Sequence, residues 1–105
     1  MKEKTVSELK EMQEAGHVFQ LIDVREPHEH EQSNLGGELM PLGTLLSLAD
    51  QIRRDVPVII HCRSGARSTA VIHELEKRFG LDNLYNLKGG ILAYKKEINP
   101  NIQVF

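Results

Sequence analysis

The residues most able to do chemistry surround the single cysteine, Cys62. A lone cysteine excludes an internal disulfide, a Cys-x-x-Cys redox pair and a multi-thiolate zinc site. Two readings remain: a small inert core residue, or a reactive thiol. The segment that follows, Arg63-Ser64-Gly65-Ala66-Arg67, favours the second. Its small middle, Ser64-Gly65-Ala66, lets the chain curl so that successive backbone N–H groups converge into an anion-binding nest, and Gly65 can take a positive φ without strain. Those dipoles, with the cations Arg63 and Arg67, favour the thiolate and so activate Cys62 as a nucleophile. The same cradle suits an anionic substrate.

Other polar residues take quieter roles. His61 adjoins Cys62, but neighbouring side chains in a strand point to opposite faces, so it reads as structural rather than as a general base. His73 falls mid-helix as a surface or packing residue. His28 and His30, set among Glu26, Glu29 and Glu31, read as a solvated face rather than a metal site. Asp23 and Arg25 are expected to buttress the sheet edge near the site, and no cofactor is called for.

These residues need a frame, and the sequence supplies one. Lys4–Val6 reads as a short strand. A helix to Ala15 follows, capped by Ser7 or by the Thr5-x-x-Glu8 box, with Leu9 and Met12 on one face and Gly16 as its stop. Val18–Val24 is a near-continuous apolar run, the pattern of a strand covered on both faces. Pro27 opens a short helix through Glu31. Asn34–Gly37 is a turn-rich connector, and Glu38–Met40 a short strand. Leu42, Leu45, Leu46, Ala49 and Ile52 recur at helical spacing, predicting a helix to about Arg54 with Leu42, Leu45, Leu46 and Ile52 in the core. Pro57–His61 is the clearest strand. Ser68–Phe79 reads as a helix with Ala70, Val71, Leu75 and Phe79 inward and Gly80 after its end. Leu84–Leu87 is the last strand, Gly89-Gly90 a loop allowing close backbone approach, and Ile91–Ile98 the final helix.

Strands alternating with helices predict an α/β fold: a small parallel sheet flanked by helices on both faces. Cys62 then stands at the carboxyl end of the most apolar strand, where open α/β sheets bind ligands.

A chain of 105 residues predicts one domain, 1–105. Its 40% hydrophobic and 27% charged residues are ordinary for a globular protein. A net charge of −2 gives no support to nonspecific nucleic-acid binding through a strongly basic surface. The charge is uneven: residues 1–40 hold 9 acids and 4 bases, residues 41–105 hold 6 and 9, so an anion belongs with the second part. No run approaches the roughly 18–20 apolar residues of a membrane span, and the N-terminus lacks an apolar h-region, which predicts a soluble cytoplasmic protein.

Taken together, Cys62–Ser68, Asp23-Val24-Arg25-Glu26-Pro27, the connector Asn34–Gly37 with Pro41-Leu42, and Leu87-Lys88-Gly89-Gly90-Ile91 resemble the landmarks of a single rhodanese-like domain, in that family's order. Two departures stand out: Ser33–Glu38 replaces the common Gly-His-Ile-Pro-Gly-Ala, and Tyr94 stands where Trp is common. Neither touches the Cys loop. The resemblance implies a rhodanese-like fold and a sulfurtransferase in which Cys62 takes sulfane sulfur from a donor such as thiosulfate, forming a persulfide. A thiol, cyanide or acceptor protein would take it onward. Arg63 and Arg67 would orient the anionic donor, while Ser64, Gly65, Ala66 and Arg67 supply loop amides. The tail through Pro100 is also similar to rhodanese domains in enzymes that adenylylate sulfur-carrier proteins, which leaves open a persulfide carrier acting only with a partner protein. A cysteine phosphatase or arsenate reductase is the remaining alternative. Only four residues separate Cys62 from Arg67, and this six-residue loop suits sulfur better than a bulkier tetrahedral phosphoryl group.

Overall fold

A computed structural model describes residues 1–104. Five strands form one sheet: β1 (Glu3–Lys4), β2 (Gln20–Asp23), β3 (Glu38–Leu39), β4 (Val58–His61) and β5 (Leu84–Leu87). All pairings are parallel, in the order β1-β5-β4-β2-β3. The helices are α1 (Val6–Glu14), α2 (Pro27–Gln32), α3 (Ala66–Phe79) and α4 (Gly90–Glu97), with a 3-10 helix over Leu45–Gln51.

β4 lies at the centre because it is apolar on both faces, with every residue buried. Its alternation sorts the core into two layers. Val58, Ile60 and Cys62 join Val71, Ile72 and Leu75 of α3, together with Ile22, Val24 and Leu45. Ile59 joins Leu9 and Met12 of α1, Tyr94 of α4, Leu21 and Leu87. The expected parallel sheet with helices on both faces is what the chain forms.

Between the two capping options for α1, Thr5 is the cap: its hydroxyl accepts from the Glu8 N–H while the Glu8 carboxylate accepts from the Thr5 N–H.

Several expectations need correction. The Leu42–Arg54 helix is a shorter 3-10 segment, and Leu42 is exposed, because its N–H is tied to the Val24 carbonyl in an extension of the sheet and no helical turn has yet begun. Leu45 and Ile52 are buried as expected, and Leu46 is half-buried against the core. On α3 the inward stripe is Ser68, Val71, Ile72 and Leu75, which leaves Ala70 exposed on the opposite side. Phe79 is also exposed, at the final turn, and Leu81 enters the core after the left-handed Gly80. Val18, 66% exposed, precedes β2 rather than belonging to it.

Candidate active site

The end of β4 delivers Cys62 onto the α3 face, and the chain turns at once into α3. Gly65 makes the turn: its φ of +116° lies in the left-handed region, and it is the N-cap of α3. The first turn of a helix has N–H groups without intrahelical acceptors, and here the cysteine sulfur accepts from the one on the N-cap residue, Gly65. Gly65 N–H donates to Cys62 Sγ at 3.1 Å, and Ser68 Oγ lies 3.4 Å from the sulfur.

Cys62 is 1% exposed. Burial alone pushes its thiol pKa up, yet the Ser68 side chain and the backbone groups of Ser68, Gly65 and Ser64 outweigh it, and the net direction is below the ordinary thiol value. These hydrogen-bond donors favour the charged form of a sulfur that burial alone would keep neutral.

The glycine pair Gly89-Gly90 backs the loop. Ile91 N–H donates to the Cys62 carbonyl at 3.0 Å and Leu92 N–H to the Arg63 carbonyl at 3.1 Å, so the start of α4 engages the carbonyls of the loop. A Cβ on Gly90 would lie 2.6 Å from the Cys62 carbonyl oxygen and 2.5 Å from that of Arg63. The expected close approach is thus at Gly90, which also has a φ of +62°.

Of the other loop residues, Ser64 and Ala66 are exposed, Gly65 is buried and Arg63 is half-buried. Arg67 is committed to a carboxylate: its two terminal nitrogens donate to the two oxygens of Glu29 at 2.8 and 3.0 Å. The Arg67 hydrogen bonds hold Glu29 down at a pKa of about 2, and the Glu26 N–H donates to the same carboxylate. The cation expected to face substrate is therefore shared with α2.

Asp23 and Arg25 are the buttress the sequence suggested. Arg25, 1% exposed, donates from Nε and Nη2 to Asp23 and from Nη2 to the Ser33 carbonyl at 2.7 Å. Burial works to raise the Asp23 pKa, but Arg25, with His61 and His30, brings it below the ordinary value. His30 Nδ1 lies 2.9 Å from Asp23 Oδ2, so this histidine belongs to the buttress and not to a solvated face, while His28 is exposed. His61 sits opposite Asp23 in the β2–β4 register, on the face away from Cys62. It is fully buried with neither ring nitrogen hydrogen-bonded, and burial lowers its pKa to about 4. A neutral, buried imidazole on the other face is structural. His73 is exposed.

Two residues escaped the sequence reading. Ser68, the last residue of the Cys62–Ser68 motif but given no role by it, touches the sulfur, and Asn86 on β5 accepts from Ser68 Oγ at 2.5 Å. The available signal was polarity at inward positions: Ser68 leads the buried stripe of α3, and Asn86 interrupts an otherwise apolar strand.

This constellation, a cysteine at the carboxyl end of a central parallel strand with its sulfur in a ring of loop amides, defines a class of cysteine-loop α/β proteins. The chain belongs to the rhodanese-like domain family, whose model matches residues 5–97. It is 41% identical over 80 residues to the uncharacterized protein YqhL of Bacillus subtilis, covering 75% of this chain and 63% of that one. A sulfurtransferase of Allochromatium vinosum is 35% identical over 81 residues, covering 76% of this chain and 75% of that one. The crystal structure of a rhodanese-like domain protein from Staphylococcus aureus superposes with a TM-score of 0.83 at 27% identity, covering 100% of this chain and 99% of that one. Other relatives are longer. The chain spans between 21% and 30% of several of them, some of which bear names that pair an adenylyltransferase with a sulfurtransferase. Several of these relatives are named as sulfurtransferases.

Proposed function

We propose that this chain, acting as one domain, is a sulfurtransferase that accepts sulfane sulfur on Cys62 from a small anionic donor such as thiosulfate. The Cys62 thiolate attacks the outer sulfur of the donor; the S–S bond breaks with its electron pair leaving on sulfite, and a Cys62 persulfide remains. A thiol, cyanide or acceptor protein then takes the outer sulfur. With no second cysteine in the chain, the persulfide cannot be resolved internally, and the sulfur must pass to an outside acceptor.

The observation that carries this reading is the placement of Cys62 Sγ at the first turn of α3, 3.1 Å from the Gly65 N–H. Amide donors that stabilise a thiolate also stabilise a persulfide anion, and they need no counter-charge to do so. In this reading Cys62 is catalytic, Ser64, Gly65, Ala66 and Arg67 line the cradle with amides, and Arg63 and Arg67 meet the donor's negative charge.

The test is thiosulfate:cyanide transfer by the wild type beside Cys62→Ser. Transfer is expected in the wild type and absent in the variant; equal rates would end the proposal.

A second reading is favoured by the 1% exposure of Cys62, which restricts small molecules, and by the longer relatives named for both adenylyltransferase and sulfurtransferase. In it the domain is a persulfide carrier that loads only from a partner protein. Rapid loading from thiosulfate alone excludes it.

A further inference from the structure

The mechanism proposed above leaves two buried polar side chains without a task, one beside the sulfur and one behind it. Ser68, fully buried, is the third residue of α3, and Asn86, 5% exposed, lies on β5. Ser68 Oγ has three acceptors in reach: Asn86 Oδ1 at 2.5 Å, the Gly65 carbonyl at 3.1 Å and Cys62 Sγ at 3.4 Å. A hydroxyl carries one proton, so these acceptors compete for it.

The charge on sulfur decides the competition. A neutral thiol can donate to Ser68 Oγ, and the Ser68 proton then belongs to the nearest acceptor, Asn86 Oδ1. A thiolate can only accept, so the Ser68 hydroxyl has to turn toward it. That would leave Asn86 Oδ1 facing an oxygen lone pair in a buried place, where an unsatisfied polar group is costly. A half-turn of the Asn86 amide removes the conflict, because it brings Nδ2–H to the position of Oδ1 and so donates to Ser68 Oγ. Asparagine suits this task because its side chain holds a donor and an acceptor at the same reach; ionised aspartate only accepts, and leucine does neither.

We propose that Ser68 and Asn86 form a reversible hydrogen-bond relay on Cys62. It runs from the thiol through Ser68 to Asn86 Oδ1 when the sulfur is neutral, and from the Asn86 amide through Ser68 to the sulfur when it is negative. This rests on the reading of Cys62 as the sulfur-accepting group. No proton changes owner within the relay: the thiol proton leaves to water, and Ser68 and Asn86 only redirect protons they already hold. Sγ carries negative charge twice per cycle. The first time is before it attacks the donor. The second is when an acceptor nucleophile attacks the outer sulfur, the bond between the two sulfurs breaks, and its electron pair stays on Sγ. At both moments the relay points at the sulfur. Ser68 and Asn86 are therefore positioning residues that set how readily Cys62 becomes, and leaves as, a thiolate.

The test is an ultraviolet thiolate titration of the whole chain, in which one cysteine gives one signal. Ser68→Ala is expected to raise the half-point by about one unit or more, the scale of a lost hydrogen bond to a charged group. Ser68→Thr, which keeps the hydroxyl, restores the wild-type half-point. Asn86→Asp raises it as well, since its carboxylate keeps the Ser68 proton, and in the Ser68→Ala background the same change adds less than it does alone. An unchanged half-point in Ser68→Ala overturns the relay, as do fully additive shifts, which would mark charge acting through space. If Asn86→Asp does not fold, the two Ser68 variants decide. The titration contains no sulfur donor, so failure of the relay leaves persulfide formation by the wild type standing, whereas a wild-type chain that takes no sulfur ends the reading of Cys62 itself.

Discussion

At Cys62, 1% exposed, burial pushes the thiol pKa up, and backbone amides with the Ser68 hydroxyl bring it below the ordinary value. The flanking arginines were legible in the sequence as cations; that Arg67 is paired was not, because Glu29 lies 38 residues away on another helix. This pairing leads to a prediction. Glu29→Gln frees Arg67 to meet an anion, so the KM for thiosulfate should fall several-fold, most clearly at low salt where charge is least screened. Steady-state kinetics at two ionic strengths measure it, and a KM that rises would mean that Glu29 instead holds Arg67 in its binding geometry. Gly90 gives a second prediction at this scale. Gly90→Ala places a methyl against the Cys62 and Arg63 carbonyls and strains a positive φ, so it should both destabilise the chain and slow sulfur transfer. Urea unfolding and a transfer assay on the same sample read the two effects.

Among the elements, those that depend on local pattern were the most legible. The run Pro57–His61 reads as a strand from its β-branched, apolar residues, and β4 occupies Val58–His61 of it; the Thr5-x-x-Glu8 box is one of the two starts the sequence offers for α1, and both of its hydrogen bonds form. Thr5→Ala should therefore cost about 1 kcal/mol by chemical denaturation, the usual worth of an N-cap. Helices whose faces depend on distant packing were read less well. The spacing of Leu42, Leu45, Leu46, Ala49 and Ile52 fits a helix, but Leu42 is drawn into the sheet's hydrogen bonding and the remainder tightens into a 3-10 segment. On α3 the polar Ser68 sits inward because a sulfur and an amide await it, while the apolar Ala70 and Phe79 face out. Hydrophobic periodicity cannot foresee a buried polar contact, and for the same reason Asn86 was passed over.

Across the whole molecule, parallel topology brings distant segments to one place. The β2–β4 register sets Asp23 beside His61, and the β4–β5 register sets Ile60 beside Asn86, so the buttress and the relay lie on either side of the strand that carries Cys62. None of the described helices is long and apolar enough to cross a membrane. His61, buried, and Glu29, ion-paired with Arg67, each contribute to the acid response of the fold. His61 is lowered from 6.5 to about 4, so the unfolded chain takes up its proton first, and stability falls as pH drops from 6.5 toward 4. Glu29 is lowered from 4.5 to about 2; its contribution is present above 4.5 and is lost as pH falls toward 2. His61→Phe should accordingly flatten the upper window and leave the lower one in place, as read by urea midpoints across pH; an unchanged slope between 6.5 and 4 would show that His61 does not titrate as its burial requires.

Whether Cys62 carries sulfur is read by intact-mass measurement of the chain after incubation with thiosulfate. One added sulfur per chain is expected in the wild type, removed by cyanide and absent from Cys62→Ser. A wild-type mass that does not change, or an added sulfur that persists in Cys62→Ser, would contradict it.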